Sequence, residues 1–367
     1  MWPTIDQFKL HPFVLKNDKH YTCQMCYRLI SVLMVVFLFS CTRVKFEVGK
    51  RNESKMLENK GIVAALISPN KTNVMPEKII DVFGVHVDSI NAIPLTQFTS
   101  IEEDESEGIV CKLGHFTGYD GVEIPFYELL PPDFDESVKY PTVILYSGHG
   151  DVDDVTYQSW SYQKGGAMEL AKEGFLVYTM ENRGMGMLSH LGDHLKIDAV
   201  ARLTGNTWYG ELITDGLYLL EIVQSQPYVD RSRIGAGGVS TGGALSMLVA
   251  ALDVRISSAY VQGYLGSYKT TFGVRANHDI CNNIPGILNH FDIPDIAASI
   301  APRPAIYVNG EMDTFYYQDA ETAFQVVKKA YNEKGAGQNV SLEIPKNTIH
   351  ELSVDLMINF FIKNLVD

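Results

Sequence analysis

A single serine, Ser240, stands in the glycine-rich stretch GAGGVSTGGALS. The residues from Gly238 to Gly242 have the spacing G-x-S-x-G, in which a sharp strand-to-helix turn exposes the serine hydroxyl. The N–H groups and positive dipole end of the following helix favour the anion that develops during acyl transfer. The pattern predicts a nucleophile, but it also arises by chance in glycine-rich turns, and only partner residues separate the two interpretations.

A serine nucleophile needs a base to take its proton and an acid to orient that base. The segment PAIYVNGEMD places Asp313 just after a strand-like run, and His350 follows the last strand-like run. We therefore predict Ser240 as nucleophile, His350 as base and Asp313 as acid. Glu311 competes for the acid role. The simpler interpretations are an Asp313 that only caps a helix and a His350 that only begins one.

The oxyanion of an acyl-transfer transition state needs two backbone N–H donors. We expect the first from Thr241, directly after the nucleophile. We expect the second from His149, in the loop SGHG that follows the strand-like run VILY. The imidazole of His149 would then form a wall of the pocket or be exposed to solvent.

Strand-like and helix-like runs alternate from Gly108 onward, which predicts an α/β fold with a mainly parallel central sheet and helices on both faces. Right-handed crossovers place the carboxyl ends of parallel strands along one edge, where the candidate residues would meet. We predict strands at Val122–Leu130, Thr142–Tyr146, Gly174–Met180, Ser232–Val239, Ile256–Gln262, Pro304–Asn309 and Val340–Ile344, and helices at Tyr157–Lys172, Asn206–Ser225, Gly243–Leu252, Ala320–Asn332 and Leu352–Leu365.

The composition is that of an ordinary globular protein, since 46% of the 367 residues are hydrophobic and 20% are charged. The formal net charge of −14 argues against a nucleic-acid surface, which would need clustered Lys and Arg. We expect the acidic run Ile101–Glu105 to be a solvated linker or an edge. Cys111 and Cys281 either pair or remain separate thiols.

The N-terminal stretch predicts export. Leu29–Ser40 is an uninterrupted run of apolar and small residues, too short for a comfortable transmembrane helix and typical of a secretory signal. Cys41 after it resembles the lipidated cysteine of a bacterial lipobox, which predicts a membrane-anchored lipoprotein. Translation from Met25 instead of Met1 would give a more compact signal sequence, and we expect Met25 as the alternative start. We expect a signal region at residues 1–40, a tether and irregular extension at residues 41–107, and a catalytic domain at residues 108–367.

Further motifs point to a known family. The chain carries DGVEIP at Asp120, KYP at Lys139, ENRGMG at Glu181, DRSRIGAGGVSTGG at Asp230 and IAPRP at Ile300. With them, the region from about Gly108 to Asp367 resembles the acetyl xylan esterase and dienelactone hydrolase-like branch of the α/β-hydrolases, whose order of Ser, Asp and His along the chain it shares. The resemblance implies an α/β-hydrolase fold and a serine esterase, often a carbohydrate deacetylase. Some members of the wider group use a cysteine nucleophile, whereas this chain has Ser240.

Specificity is expected from the long segment between residues 262 and 302, because insertions at this place commonly cover the active site in such folds. His278, Asn282 and Asn283 in this insertion could bind sugar hydroxyls or belong to a polar loop without that role. Arg183, in the turn RGMG near a strand end, would contact substrate or only brace loops. The insertion's histidine and cysteine spacing matches no metal motif, so we predict no metal and no cofactor.

These observations predict an exported, lipid-anchored serine hydrolase that cleaves a small ester, such as an acetyl group on a polysaccharide, without a nucleic-acid partner. The runner-up is a serine peptidase of prolyl-oligopeptidase type, whose catalytic domain is alike. Too little chain precedes Gly108 for the propeller that usually gates those enzymes. A third alternative is a surface lipoprotein that binds glycans on a hydrolase scaffold without turnover, and the presence of the Ser, Asp and His set argues against it.

Overall fold

A nine-stranded sheet carries the fold. The structure, a computed structural model, describes residues 76–92, 102–274 and 278–366, which all lie in one compact unit. The strands are β1 (Glu102–Ser106), β2 (Ile109–Thr117), β3 (Glu123–Leu130), β4 (Tyr140–Tyr146), β5 (Leu176–Met180), β6 (Val229–Val239), β7 (Ser258–Gln262), β8 (Ala305–Val308) and β9 (Val340–Glu343). Their order is β1-β2-β3-β5-β4-β6-β7-β8-β9. The pairs β1–β2, β2–β3 and β3–β5 are antiparallel, and every other pair is parallel.

Helices connect the strands and cover the sheet. They are α1 (Pro76–Phe83), α2 (Val87–Ala92), α3 (Val152–Thr156), α4 (Gly166–Lys172), α5 (His194–Ala201), α6 (Trp208–Ser225), α7 (Thr241–Leu252), α8 (Ile293–Ser299), α9 (Tyr317–Glu333) and α10 (Val354–Phe361). Short 3-10 turns lie at Gly186–Leu191, Arg202–Thr204, Ile280–Asn282, Ile287–Asn289 and Gly337–Asn339, and π turns at Tyr268–Val274 and Ile362–Val366.

The sheet has a core on each face, because successive residues of a strand point to opposite sides. On β4, Ile144 and Tyr146 join the core that includes residues of α6 and α7, whereas Val143 and Leu145 join the core that includes residues of α4 and α10. All four side chains are fully buried. The continuous apolar run that predicted this strand is what burial on both faces requires.

The predicted α/β fold with a mainly parallel sheet is confirmed, and every predicted strand is present with its ends within three residues. The helix predicted at Tyr157–Lys172 is wrong in its first half. Helix α3 ends before it, and α4 begins only at Gly166. Lys164 and Gly165 both have a φ of 58°, and a positive φ cannot continue a right-handed helix.

Part of the extension expected to be irregular is helical. Ile79 and Phe83 of α1 are fully buried in the core. The Thr207 hydroxyl donates to the carbonyl oxygen of Phe83 at 2.7 Å, and the N–H of His86 donates to the hydroxyl of Thr214 at 3.0 Å. These contacts with α6 and the residue before it anchor both short helices on the catalytic region.

The other expectations about the chain have separate outcomes. The signal region, including Leu29–Ser40, and Cys41 lie outside the described residues. Within the described ranges, no helix has the length and apolar character needed to span a membrane. The acidic run forms β1, at the edge of the sheet. Cys111 and Cys281 are not joined in a disulfide, and the first is half-buried and the second buried.

Candidate active site

Ser240 occupies the turn between β6 and α7 with a φ of 62° and a ψ of −126°. A positive φ is costly for a residue with a side chain and is sustained here by the packing of the turn. A Cβ at Gly242 would clash with the carbonyl oxygen of Tyr146, and one at Gly238 would come within 2.5 Å of Gly242. The glycines therefore let α7 begin directly on the ends of β4 and β6, as the G-x-S-x-G spacing predicts.

Asp313 and His350 meet beyond the ends of β8 and β9. The Nδ1 atom of His350 lies 2.7 Å from Oδ1 of Asp313, whose side chain is fully buried. The same oxygen accepts the N–H of Phe315 at 2.8 Å. Because Nδ1 donates to the carboxylate, the free lone pair of the imidazole is on Nε2. Glu311, the competing acid, is exposed and accepts instead the N–H of Asn347 at 3.0 Å.

Aromatic rings fix the orientation of the His350 imidazole. The ring of Tyr162 lies nearly parallel to it, with centroids 5.7 Å apart, and the ring of Phe315 does the same at 5.9 Å. The backbone of Gly263, which has a φ of 64°, lies against the His350 ring, and a Cβ at this position would come 2.9 Å from Cε1 of His350. The hydroxyl of Tyr162 donates to the carbonyl oxygen of His149 at 3.0 Å, so this residue contacts both His350 and the loop that carries His149.

The loop from Ser147 to Gly150 is held by side chains of neighbouring segments. The Asn182 amide donates to the carbonyl oxygens of Ser147 and Gly148 at 3.0 and 2.9 Å. The N–H of Gly148 donates to Oε1 of Gln163 at 2.6 Å. The two predicted oxyanion donors are the amide N–H groups of His149 and Thr241. Among the described residues, neither group has a hydrogen-bond acceptor. Such an arrangement leaves both groups available to an oxyanion.

The imidazole of His149 forms a wall of the pocket, one of the two placements expected for it. Its Nδ1 atom lies 2.7 Å from the hydroxyl of Thr241. Burial lowers its pKa to about 4, and the neighbouring His194 adds to the effect. The ring is therefore neutral near neutral pH, and it links the two residues whose N–H groups face the pocket.

A pocket of about 150 Å³ opens at Ser240. Its lining residues are His149, Ser240, Thr241, Tyr264, His278, Asp279, Asn282 and Phe315. Asn282 uses its Oδ1 to accept the hydroxyls of Tyr209 and Tyr264 at 3.1 and 3.3 Å. Asn283, in contrast, is exposed and does not line this pocket. The insertion therefore covers the site, as expected, and contributes His278 and Asn282 to its wall.

Arg183 lies outside this pocket wall. Its guanidinium is bidentate to Asp215, at 2.6 and 2.9 Å, and to Asp120, at 2.6 and 3.2 Å. Its side chain is only 4% exposed. Of the two roles expected for it, these ion pairs correspond to the bracing of loops, and the backbone carbonyl of Arg183 also receives the indole N–H of Trp208 at 2.9 Å.

Sequence reasoning missed Tyr162 and Phe315, whose rings stack on His350, and Gln163 and Asn182, which hydrogen-bond to the loop from Ser147 to Gly150. Tyr162 and Gln163 lie in the stretch that was predicted as a helix. Asn182 belongs to the ENRGMG motif, which identified the segment without assigning it a role. Phe315 follows Asp313 by two residues, and that spacing alone carries no signal for stacking on a histidine.

Comparisons with known proteins identify a family and a fold for this chain. The sequence model described as acetyl xylan esterase (AXE1) matches residues 86–293, more than half of the chain. The match ends before Asp313 and His350. A candidate acetyl xylan esterase from Bacteroides fragilis has a similar structure, with a TM-score of 0.65 and 18% identity over 84% of this chain and 94% of that one. Acetyl xylan esterase 1 from a Thermoanaerobacterium species has a TM-score of 0.56 and 20% identity over 81% and 96%.

A curated relative from another class of hydrolase also matches. Dipeptidyl-peptidase 5 of Porphyromonas gingivalis is 30% identical over 140 residues, which are 38% of this chain and 19% of that protein. This chain therefore matches about a fifth of the length of that peptidase. The similarity to the two esterase structures, in contrast, extends over almost the whole of each, and it shows that they share the α/β-hydrolase fold.

Proposed function

The chain belongs to the acetyl xylan esterase (AXE1) family of α/β-hydrolase esterases, and from this premise we propose that it cleaves small carboxylic esters through an acyl-enzyme on Ser240. The observation that carries the proposal is the 2.7 Å hydrogen bond between His350 and Asp313 at the same sheet edge as the strained Ser240 turn. This order and placement supply a nucleophile, a base and an orienting acid.

The reaction proceeds in two halves. The Ser240 hydroxyl oxygen attacks the ester carbonyl carbon while Nε2 of His350 takes its proton. Asp313 stabilises the resulting imidazolium. The carbonyl oxygen, now an anion, accepts hydrogen bonds from the N–H groups of Thr241 and His149. The carbon–oxygen bond then breaks, and the alcohol leaves with the proton from His350. In the second half, water attacks the acyl carbon and gives a proton to Nε2 of His350. The bond to the Ser240 oxygen then breaks, the proton returns from Nε2 to that oxygen, and the acid leaves.

The substrate we propose is an acetyl ester of a carbohydrate. The pocket at Ser240 is small, and the rings of Tyr264 and Phe315 line it, which suits a short acyl group. His278 also lines this pocket, and its Nε2 is buried without a hydrogen-bond partner among the described residues. We assign this nitrogen to a sugar hydroxyl. Asn282 lines the same pocket, and its amide nitrogen donates to the carbonyl oxygen of Asp279 at 3.3 Å.

Loss of the nucleophile tests the proposal. The chain and its Ser240→Ala variant are compared for acetate release from p-nitrophenyl acetate and from acetylated xylan. Serine-dependent release from both substrates, with the higher specificity on xylan, supports a carbohydrate acetyl esterase. If neither substrate is cleaved while a dipeptide p-nitroanilide is, the serine-peptidase alternative replaces it. If none of the three is cleaved, the glycan-binding alternative without turnover remains.

We also propose that the chain is exported and anchored in a membrane by a lipid on Cys41. The apolar run Leu29–Ser40 directly before this cysteine supports the proposal. Metabolic labelling with palmitate tests it: the label should enter the membrane-bound wild-type protein and be lost in the Cys41→Ser variant. A wild-type chain that is recovered unlabelled from the membrane fraction would contradict the anchor.

A further inference from the structure

Three metal-ligating side chains converge beside the oxyanion loop. They are His149, His194 and Cys281, and their ligand atoms all lie within 4.8 Å of one another. The Nε2 atom of His149 is 3.9 Å from Sγ of Cys281. The three residues come from different segments: the loop after β4, the first turn of α5 and the insertion after β7. Spacing within the insertion, the basis for predicting no metal, could not show this cluster.

Each histidine of the cluster has a ring nitrogen that the protein leaves without a strong hydrogen bond. Nδ1 of His149 lies 2.7 Å from the hydroxyl of Thr241. In the tautomer with its proton on Nδ1, this nitrogen donates to the hydroxyl and the lone pair is on Nε2, 3.9 Å from Sγ of Cys281. Metal-binding histidines are oriented in this way, by a hydrogen bond from the second ring nitrogen. In His194, Nε2 is buried and has no hydrogen-bond partner among the described residues. A buried nitrogen of this kind requires a partner that the protein itself does not supply.

The distances suit a tetrahedral ion after small side-chain movements. Zinc bonds of about 2.0–2.1 Å to nitrogen and about 2.3 Å to sulfur place neighbouring ligands roughly 3.3–3.6 Å apart. The separation between His149 and Cys281 is already close to this range. A fourth oxygen is near, since Oδ2 of Asp279 lies 3.8 Å from Nε2 of His194, on a side chain that is 59% exposed and free to rotate.

We propose that His149, His194 and Cys281 form a binding site for a zinc-like transition-metal ion, with Asp279 or water as the fourth ligand. Two imidazoles and a thiolate favour zinc over magnesium or calcium, which prefer oxygen ligands. On binding, the Cys281 thiol loses its proton to solvent and a sulfur–metal bond forms. The site goes beyond the esterase function and does not depend on Ser240.

Metal content after dialysis tests the site. The purified chain is stripped with chelator, dialysed against Zn²⁺ and analysed for bound metal, together with Ser240→Ala, Cys281→Ser, His194→Gln and Cys111→Ser. We expect about one zinc ion per chain in the wild type, in Ser240→Ala and in Cys111→Ser, the matched cysteine control outside the cluster. We expect more than a tenfold weaker affinity in Cys281→Ser and His194→Gln.

The absorption spectrum of bound Co²⁺ gives a second readout of the site. It compares the wild type with two variants, so that misfolding of one variant does not decide the result. Bound Co²⁺ should show a thiolate charge-transfer band in the wild type and in His194→Gln at raised cobalt concentration, and should lack it in Cys281→Ser. Absence of stoichiometric zinc from the wild type would overturn the site. So would equal zinc binding by the wild type, Cys281→Ser and His194→Gln. Zinc binding with no esterase activity would reject only the proposed function.

Discussion

Tyr162 donates its phenolic hydrogen bond to the carbonyl oxygen of His149 over 3.0 Å. Burial raises the pKa of this phenol well above its usual range, so that the hydroxyl remains a donor. The bond holds the residue whose N–H we assign to the oxyanion, while the tyrosine ring lies against His350. One side chain, outside the catalytic set predicted from sequence, thus connects the loop from Ser147 to Gly150 with the histidine proposed as the base.

Replacing this residue by phenylalanine separates the two contacts. Tyr162→Phe keeps the ring beside His350 and removes the hydrogen bond to His149. We expect kcat to fall about 5–10-fold with little change in KM, since one such bond is worth roughly 1 kcal/mol. Tyr157→Phe, in the same irregular segment, loses only a hydrogen bond to Asp153 and should keep full activity. Equal losses in both variants would contradict a positioning role for Tyr162.

The identity of the acid can be tested with two amides. Asp313→Asn should lower kcat by about three to four orders of magnitude, because an asparagine favours the wrong tautomer of His350. Glu311→Gln, two residues away and exposed, should leave kcat unchanged. The measurement is ester hydrolysis under saturating substrate, with thermal unfolding to establish that both variants fold. A large loss in Glu311→Gln alone would reverse the assignment.

Gly263 is predicted to be required for the position of the base. Gly263→Ala places a Cβ 2.9 Å from the His350 ring in a backbone with a φ of 64°. Gly174→Ala is the matched control, because its φ is 89° and a Cβ there meets nothing within 4 Å. Both variants should lose about 1–2 kcal/mol of unfolding free energy from the positive φ, but only Gly263→Ala should lose kcat. Parallel losses of activity would contradict the contact with His350.

The buried carboxyl of Glu181 should make the free energy of unfolding depend on pH. It is fully buried, and burial raises its pKa from 4.5 to about 7, although three backbone N–H groups hydrogen-bond to it. Between these values the folded chain keeps a proton that the unfolded chain releases. The free energy of unfolding should therefore fall as the pH rises through this window, by at most roughly 3 kcal/mol, and level off above it.

Urea unfolding at several pH values between about 5 and 8 measures this slope. In Glu181→Gln, the free energy of unfolding should fall less steeply as the pH rises. This holds even where the variant is less stable than the wild type at every pH. The exposed carboxylate Glu173 serves as the control, and Glu173→Gln should retain the wild-type slope. An unchanged slope in Glu181→Gln would show that other groups cause the dependence.

Local patterns predicted much of the fold and placed the candidate residues at one sheet edge. The strand at Thr142–Tyr146 is a continuous apolar run, and the Ser240 turn has its glycines where backbones meet, so that both signals are local in sequence. The break before Gly166 had no such signal, because Lys164 is a non-glycine residue with a positive φ. Its conformation depends on the fold around it.

The side-chain contacts of the site were harder to predict than its location. Sequence order favoured Asp313 over Glu311, and the structure pairs Asp313 with His350. The catalytic roles of these residues stay predictions. The contacts of His149 with Thr241 and Cys281 join residues 92 and 132 positions apart. A single sequence carries no signal for such contacts.

The placement of the base after β9 has a consequence for how the protein can be made and divided. Every strand of the sheet precedes His350 in the chain, and the Ser240 turn is complete long before it. A fragment that stops at β8 would contain Ser240 and the loop from Ser147 to Gly150 but would lack both Asp313 and His350, the pair proposed to activate the serine. During synthesis, the proposed nucleophile therefore acquires its proposed base only after all nine described strands have been made.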